Sequence, residues 1–227
     1  MERTIIKTSD GSHSIHVKEL NENYHSLHGA IQESKHVFID AGLKASSLPL
    51  SKGKEFYDIL EIGLGTGLNA FLTYVENLNS KRNIYYTALE AFPLEETIIN
   101  ELNYVELLNA KEHTSVFDKI HHSKWEQTIE LNENFTLLKI KNTLQAVILE
   151  NKKFDLIYFD AFGPPTQPEL WTETIFSKIV EATKQSGILV TYCAKGEVKR
   201  TLKKVGFMVE SLPGPTGKRE MVRATKL

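Results

Sequence analysis

The chain has 227 residues, of which 41% are hydrophobic and 25% are charged, and its formal net charge is −2. This length allows one substantial folded core, and the composition is ordinary for a soluble globular protein. No apolar run is long enough to predict a membrane span, no signal peptide opens the chain, and a single cysteine permits no internal disulfide, so we expect a cytoplasmic protein.

The beginning of the sequence predicts a small extension ahead of the main domain. Residues 4–17 contain two short apolar strands around an Asp-Gly turn, which is typical of a β-hairpin. Residues 26–43 then carry apolar side chains at helical spacing. A loop rich in Ser, Pro and Gly follows. We therefore divide the chain into a hairpin and helix extension at 1–52 and a main domain at 53–227.

Strands and helices alternate along the main domain. Parallel strands are predicted at 56–62, 84–89, 135–140, 154–159 and 188–192, and helices at 66–78, 94–108, 116–126, 143–149, 169–183 and 197–205. The last two strands, 207–211 and 220–225, are joined by a loop too short for a helical crossover and must be antiparallel. The predicted fold class is α/β: a doubly wound, Rossmann-like sheet that ends in an antiparallel hairpin.

A glycine loop follows the first parallel strand of this sheet, where doubly wound folds bind their cofactors. Its glycines are Gly63, Gly65 and Gly67. A dinucleotide fingerprint would place the third glycine at position 68, which is Leu68 here. The G-x-G-x-G spacing instead resembles the first motif of S-adenosylmethionine enzymes. The sequence therefore predicts S-adenosylmethionine as the cofactor.

Four further residues complete the predicted cofactor site. Glu90 ends the second strand, where a carboxylate accepts both ribose hydroxyls in such folds. Glu61 lies beneath the loop, and we assign it to the methionyl ammonium group, directly or through water. Asn69 opens the following helix. After the third strand, related enzymes usually carry an acid that contacts adenine; Asn142 stands here and can accept a hydrogen bond without that charge. Histidine and cysteine show no metal-ligand spacing, so we expect no metal.

The fourth strand leads into a motif suited to methyl transfer onto an amine. Asp160 at the carboxyl end of a central strand points into the crevice, and the turn containing Pro164 is stiff. The attacking amine must offer a lone pair, although a free alkylamine has a pKa of about 10.4. Asp160 can accept its N–H bonds and complement the product cation, and Phe162 can stack on a base. The predicted catalytic set is Asp160, Phe162 and Pro164, with Asp160 also at the cofactor.

Charge is distributed unevenly along the chain. Nine basic residues and only three acidic ones lie between Lys195 and Leu227. Such a segment can bind a polyanion while the whole chain stays near neutrality, or it can be a solvated basic helix face.

Together these motifs resemble the methyltransferase domain of the MnmC family. The resemblance rests on Glu61 to Asn69, Glu90 to Leu94, Asp160 to Pro164 with Trp171, and Lys218 to Met221. It implies methylation of the amine of 5-aminomethyl-2-thiouridine at wobble position 34 of tRNA, giving 5-methylaminomethyl-2-thiouridine. It also implies a stand-alone form with a separate FAD-dependent oxidase acting upstream. With that substrate, Lys195, Lys218 and Arg219 are predicted to bind anticodon phosphates.

Three other readings of the sequence remain. An aminopropyltransferase of the spermidine synthase type shares the fold, but the Gly63 to Gly67 loop and the basic terminus argue against it. A non-catalytic RNA-binding scaffold would not need an intact Asp160. A small-molecule N-methyltransferase would carry the same motifs, and only a test of substrates separates it from the tRNA enzyme.

Overall fold

The computed structural model describes residues 1–45 and 56–227. The strands are β1 (Arg3–Lys7), β2 (His13–Val17), β3 (Glu22–Asn23), β4 (Tyr57–Ile62), β5 (Ile84–Glu90), β6 (Thr128–Asn132), β7 (Phe135–Lys141), β8 (Phe154–Phe159), β9 (Thr183–Thr191), β10 (Phe207–Pro213) and β11 (Glu220–Lys226). The boundary predicted at 52/53 lies outside the described residues.

Seven α-helical segments accompany these strands within residues 1–45 and 56–227. They are α1 (Ala30–Ser34), which continues as a π-helical segment (Lys35–Leu43), α2 (Leu68–Ser80), α3 (Glu96–Ile99), α4 (Tyr104–Leu107), α5 (Thr114–His122), α6 (Glu173–Ala182) and α7 (Gly196–Lys204). Within the described parts of the chain, none of the helices has the length and apolar character needed to cross a bilayer.

The large sheet has eight strands in the order β10-β11-β9-β8-β4-β5-β7-β6. Strands β7, β5, β4, β8 and β9 run parallel, whereas β11 is antiparallel to both β9 and β10. The chain moves outward from β4 to β7 and then returns to β8 on the other side of β4. This reversal creates a crevice at the carboxyl ends of β4 and β8, where open α/β sheets bind ligands. The predicted doubly wound fold and terminal hairpin are confirmed.

Alternation along the central strands builds a core on each face of the sheet. On β8, Leu156 and Tyr158 face one apolar cluster, while Ile157 and Phe159 face the other. All six residues of β8 are buried, as expected for a parallel strand covered by helices on both sides. The rigid centre of the molecule therefore lies directly behind the crevice.

The N-terminal strands β1, β2 and β3 form a separate antiparallel sheet, and β1 pairs with β2 as the sequence predicts. The predicted helix at 26–43 begins later, at Ala30, and its second part is π-helical. The turn at Gly29 has a φ of 156° and precedes that first helical residue.

The helix predicted at 143–149 is wrong. The segment makes one turn, closed by hydrogen bonds from Ala146 and Val147 to the carbonyl of Thr143. Leu144 and Val147 are buried, but Ile148 is 95% exposed. Nucleating a helix is unfavourable, because one turn fixes several backbone torsions and forms few hydrogen bonds. This short segment does not bury enough apolar surface to compensate.

Three other differences concern two helices and one edge strand. The helix predicted at 94–108 is divided into α3 and α4, with residues 100–103 between them. The helix predicted at 169–183 begins as a 3₁₀ turn at Pro168–Leu170, and α6 starts at Glu173. Strand β6, which the sequence analysis missed, forms an edge hairpin with β7. Only Leu131 of its five residues is buried, so their apolar pattern is weak.

Candidate active site

A cavity of about 400 Å³ opens at the carboxyl ends of β4, β5 and β8, a size within the usual range for small-molecule sites. The glycine loop forms one wall of this cavity. Gly63 has a φ of +89°, and a Cβ there would lie 2.6 Å from the carbonyl oxygen of Asp160. Gly65 has a φ of +49°, and a Cβ there would lie 3.2 Å from the ring of Tyr24. Both positions need glycine, because side chains would strain the backbone and crowd these neighbours.

Glu90 links the end of β5 to the glycine loop. One carboxylate oxygen accepts a hydrogen bond from the amide of Gly65 at 2.9 Å, and the other accepts one from the amide of Phe92 at 2.8 Å. Each oxygen retains a lone pair, and Glu90 faces the cavity. This arrangement suits a pair of adjacent hydroxyl groups, such as those of a ribose.

Asp160 follows β8 and lies across the cavity from Glu90. The Asn69 side-chain amide donates to its Oδ2 at 2.8 Å, and the Asp160 amide donates to the carbonyl of Ile62 at 3.0 Å. Burial raises the pKa of the Asp160 carboxyl to about 7, and the hydrogen bond from Asn69 opposes that rise. Asp160 therefore changes its charge near neutral pH while Asn69 fixes its orientation.

Glu61 lies behind the cavity wall rather than on it. The residue is 0% exposed, and neither carboxylate oxygen has a hydrogen-bond partner within the described part of the chain. Burial and the nearby charge of Asp160 raise its pKa well above the usual range, and Asn69 and Tyr86 are its polar neighbours. The structure thus brings Glu61, Asn69 and Asp160 together as a buried polar cluster.

The acidic side chains around this cavity fit S-adenosylmethionine. That molecule carries a sulfonium, an ammonium and a ribose diol. Two acidic residues, Glu90 and Asp160, line the cavity where such groups would bind, and a third, Glu61, is buried behind the wall. The Oδ1 atom of Asn69 and the hydroxyl of Thr66 are also buried without partners among the described residues, so polar capacity remains unused around the loop.

The remaining predicted cofactor residues divide into two groups. Asn142 lines the cavity next to Leu144, in the turn after β7. Gly67 lies immediately before α2 with a φ of 70°, and it packs near the ring of His121 rather than at the cavity wall. Asn142 can therefore contact a ligand directly, whereas Gly67 shapes the start of the helix.

The loop after β8 is held rigidly. The amide of Phe162 donates to the side chain of Gln167 at 3.0 Å, and its carbonyl accepts from the indole of Trp171 at 2.8 Å. The ring of Phe162 lines the cavity, whereas Trp171 packs in the core 4.9 Å from the ring of Phe159. Pro164 belongs to the same turn but does not line the cavity. Its predicted role is therefore limited to stiffening the loop.

Sequence reasoning missed the contribution of the N-terminal sheet to this cavity. Tyr24 lines the wall, and its ring meets that of Phe162 edge-to-face at 5.3 Å. Arg3 also lines the cavity and donates to the carbonyl of Phe92 at 2.8 Å. Glu22 accepts a hydrogen bond from Thr166 at 2.9 Å. The sequence analysis places the extension in a separate unit at 1–52, and the residue pattern of that unit does not predict that Tyr24 reaches the cavity.

The three predicted phosphate-binding residues surround a shallow depression beside the cavity. Lys195, Lys218 and Arg219 line it together with Tyr192, whose ring also lines the main cavity. Lys195 and Arg219 are exposed, and neither makes an ion pair with any described residue. Lys218 differs, because it is half-buried and paired with Glu33. The sequence analysis grouped Lys195, Lys218 and Arg219 in one site, and the structure brings the three together. The ion pair between Lys218 and Glu33 was not predicted.

Comparisons with known proteins agree with this geometry. The family described as S-adenosyl-L-methionine-dependent methyltransferase matches residues 109–227. The tRNA 5-methylaminomethyl-2-thiouridine biosynthesis bifunctional protein MnmC of Leptospira borgpetersenii is 29% identical over 205 residues, which are 88% of this chain and 31% of that protein. The protein of the same name from Campylobacter hominis is 28% identical over 168 residues, which are 73% of this chain and 25% of that protein. The chain thus spans about a third or less of these relatives.

Solved structures support the same family. The crystal structure of MNMC2 from Aquifex aeolicus has a TM-score of 0.73 and 28% identity, and the match covers 98% of this chain and 69% of that chain. Spermidine synthase from Thermotoga maritima has a TM-score of 0.51 and 15% identity, covering 98% and 73%, which shows a shared fold alone. The resemblance to the methyltransferase domain of the MnmC family is confirmed. With more than half of its length matched, the chain belongs to the family of S-adenosyl-L-methionine-dependent methyltransferases.

Proposed function

We propose that this chain transfers a methyl group to the amine of 5-aminomethyl-2-thiouridine at wobble position 34 of tRNA, giving 5-methylaminomethyl-2-thiouridine. The observation that carries the proposal is the placement of Asp160, a carboxylate fixed by Asn69 on the cavity wall opposite Glu90. The product named for the MnmC relatives is a methylated amine, and this site offers an acceptor for the N–H bonds of such an amine.

The cofactor, when bound, supplies a methyl group activated by a positively charged sulfur. Glu90 would hold the ribose hydroxyls, Asn142 the adenine end, and Glu61 the methionyl ammonium, directly or through water. Because these residues come from different strand ends of one sheet, a bound cofactor would be fixed at several points. Such fixation lowers the entropic cost of bringing two reactants together.

Asp160 acts on the acceptor amine in this proposal. Asn69 occupies Oδ2, which leaves Oδ1 free to accept an N–H bond and to direct the nitrogen lone pair. In its ionised form Asp160 also stabilises the alkylammonium product. Phe162 offers its ring at the cavity wall, where the pyrimidine base would pack. Pro164 keeps the turn that carries Phe162 stiff.

The proposed partner is the anticodon arm of tRNA. Lys195 and Arg219 lie exposed beside Tyr192, at the edge of the cavity, where phosphates flanking an inserted base would pass. Since the acceptor must be a free amine, a preceding reaction must expose it. We assign that step to a separate FAD-dependent oxidase.

The experiment is methyl transfer to hypomodified tRNA. Purified protein is incubated with labelled S-adenosylmethionine and tRNA that carries 5-aminomethyl-2-thiouridine, and the nucleosides are analysed by mass spectrometry. We expect the wobble nucleoside to gain one methyl group, and tRNA lacking the aminomethyl group to gain none. Activity with decarboxylated S-adenosylmethionine and putrescine, but not with tRNA, would instead indicate an aminopropyltransferase. Methylation of free small amines alone would indicate a small-molecule enzyme.

A further inference from the structure

The ammonium group of Lys218 contacts other side chains of the protein. The other two cations that line the depression, Lys195 and Arg219, are exposed. Lys218 lies in the turn between β10 and β11, and its ammonium pairs with the carboxylate of Glu33. The same ammonium lies 3.8 Å from the centroid of the Tyr192 ring. Ion pairing together with a close cation–π contact leaves little capacity for a phosphate.

Glu33 makes this pair significant because its carboxylate is buried. One oxygen accepts from Lys218, and the other accepts from the amide of Ser26 at 2.7 Å. The Glu33 side chain is 6% exposed. Removing one member of a buried pair leaves an uncompensated charge, which is far more costly than losing a surface pair.

Tyr192 connects the pair to the catalytic loop. It follows β9, and its hydroxyl donates to the carbonyl of Ala161 at 2.8 Å. Ala161 comes directly after Asp160. Lys218 thus sits on a ring that is itself hydrogen-bonded to the backbone next to the catalytic carboxylate.

We propose that Lys218 is a positioning residue for methyl transfer, which with Glu33 and Tyr192 fixes the loop carrying Asp160 and balances the Glu33 charge beside that carboxylate. The inference rests on the proposed function at one point, which is the role of Asp160 in binding the acceptor amine. It replaces the sequence interpretation of Lys218 as a phosphate ligand.

The electrostatic signs make the proposal testable. Burial is the main reason that the pKa of Asp160 is raised; the charge of Glu33 raises it further, and the charge of Lys218 lowers it. The other groups that interact electrostatically with Asp160 are Glu61, Tyr86 and Tyr192. Loss of Lys218 alone leaves Glu33 unopposed and moves the Asp160 pKa upward. Loss of Glu33 alone moves it downward.

The test compares Lys218→Met, Glu33→Gln and the double variant with the wild type. The first readout is the pH profile of the single-turnover rate at saturating tRNA and cofactor. We expect Lys218→Met to shift the acid limb of the profile to higher pH and so to lower the rate below about pH 7, because loss of this cation raises the pKa of Asp160. The double variant should return toward the wild-type profile. Lys204→Met removes an exposed cation that pairs with Glu173 and should leave the profile unchanged.

The second readout is the KM for tRNA across a salt series, with Arg219→Met as the comparison. A phosphate ligand should lose affinity and part of the salt slope, whereas Lys218→Met should not. A raised KM with an unchanged pH profile would overturn the proposal. So would a double variant that is no closer to the wild type than Lys218→Met.

A third readout does not depend on methyl transfer. Carboxyl-carbon NMR follows the titration of Asp160 in the free protein, and Glu33→Gln should lower its pKa even if Lys218→Met folds poorly. An unmoved titration would refute the electrostatic role directly. If the wild type transfers no methyl group to hypomodified tRNA but the titrations move as expected, the proposed function fails and the role of the pair survives.

Discussion

The Asp160 carboxyl group is held between two opposing influences. Burial disfavours its charged form, and the hydrogen bond from Asn69 favours it, with a pKa of about 7 as the result. A group that titrates near the working pH is mostly ionised above its pKa, where it can accept an N–H bond, and mostly protonated below it. Ionisation of Asp160 lowers the free energy of unfolding, because water would stabilise its charge better than the folded protein does.

Asp160→Asn should therefore trade activity for stability. We expect the single-turnover rate to fall about 100-fold or more, as for other positioned acid–base groups. The folded pKa of Asp160 lies above its ordinary value of 3.8, so its ionisation destabilises the fold as pH rises from about 4 through 7. The variant should thus gain in melting temperature over the wild type at pH 8, and less at pH 5.

Thermal unfolding at both pH values and single-turnover kinetics check this prediction. Asp118→Asn is the matched control, because Asp118 is an exposed acid on α5. It should change neither the rate nor the pH dependence of stability. A variant of Asp160 that retains wild-type activity would remove this residue from the proposed chemistry.

Residues at strand ends could be located from the sequence, because a strand, a turn and a residue type fix where the side chain points. Gly63, Glu90 and Asp160 were found in this way. The partner of Lys218 could not be found, since Glu33 is 185 positions away and only the fold brings the two together. Burial of Glu33 likewise depends on packing between the N-terminal helix and the terminal hairpin.

At the scale of elements, the N-terminal sheet completes a cavity that the main sheet leaves open. Arg3 on β1 is one of its links to the main domain, with hydrogen bonds to the carbonyls of Phe92 and Pro93 and an ion pair with Glu95. These residues follow Glu90, the proposed ligand of the ribose. The arginine side chain is nearly buried, so its hydrogen bonds are worth more than those of a surface pair.

Arg3→Ala should weaken cofactor binding. Without the guanidinium, the carbonyls of Phe92 and Pro93 lose their partner and the segment after Glu90 is less fixed. We expect the Kd for S-adenosylmethionine to rise on the order of 10-fold, which corresponds to about 1.4 kcal/mol. Isothermal titration calorimetry measures this. Lys18→Ala, which breaks an exposed pair with Glu2 next to the same sheet, should leave the Kd unchanged.

Elements with strong periodicity were predicted well, and weak ones were not. Strand β8 is a continuous apolar run and was located to the residue. The segment at 143–149 has apolar residues at helical spacing but forms a single turn, because tertiary contacts hold only Leu144 and Val147. Strand β6 gains its structure from pairing with β7, a contact invisible in its own residues.

For the molecule as a whole, the charge asymmetry of the sequence becomes a spatial one. The basic C-terminal segment places α7 and the turn before β11 beside the mouth of the cavity, where Lys195 and Arg219 face solvent. A positive surface on a protein of net charge −2 can attract a polyanion locally without binding nucleic acid everywhere. Orientation of tRNA toward the cavity would follow from this placement.

Charge reversal at Lys195 and Arg219 tests that orientation. Each phosphate contact releases about one counterion, so the double variant should reduce the slope of log K against log salt by about 2 and weaken tRNA binding mainly at low salt. Cofactor affinity should stay unchanged. Lys152→Glu is the control, because Lys152 is exposed just before the amino end of β8, whereas the cavity lies at the carboxyl ends of the strands. If Lys152→Glu alters the slope as much as the double variant does, tRNA is attracted by the net charge of the protein. If neither alters it, the anticodon arm approaches over another surface, and the N-terminal sheet that walls the cavity becomes the next place to look for its contacts.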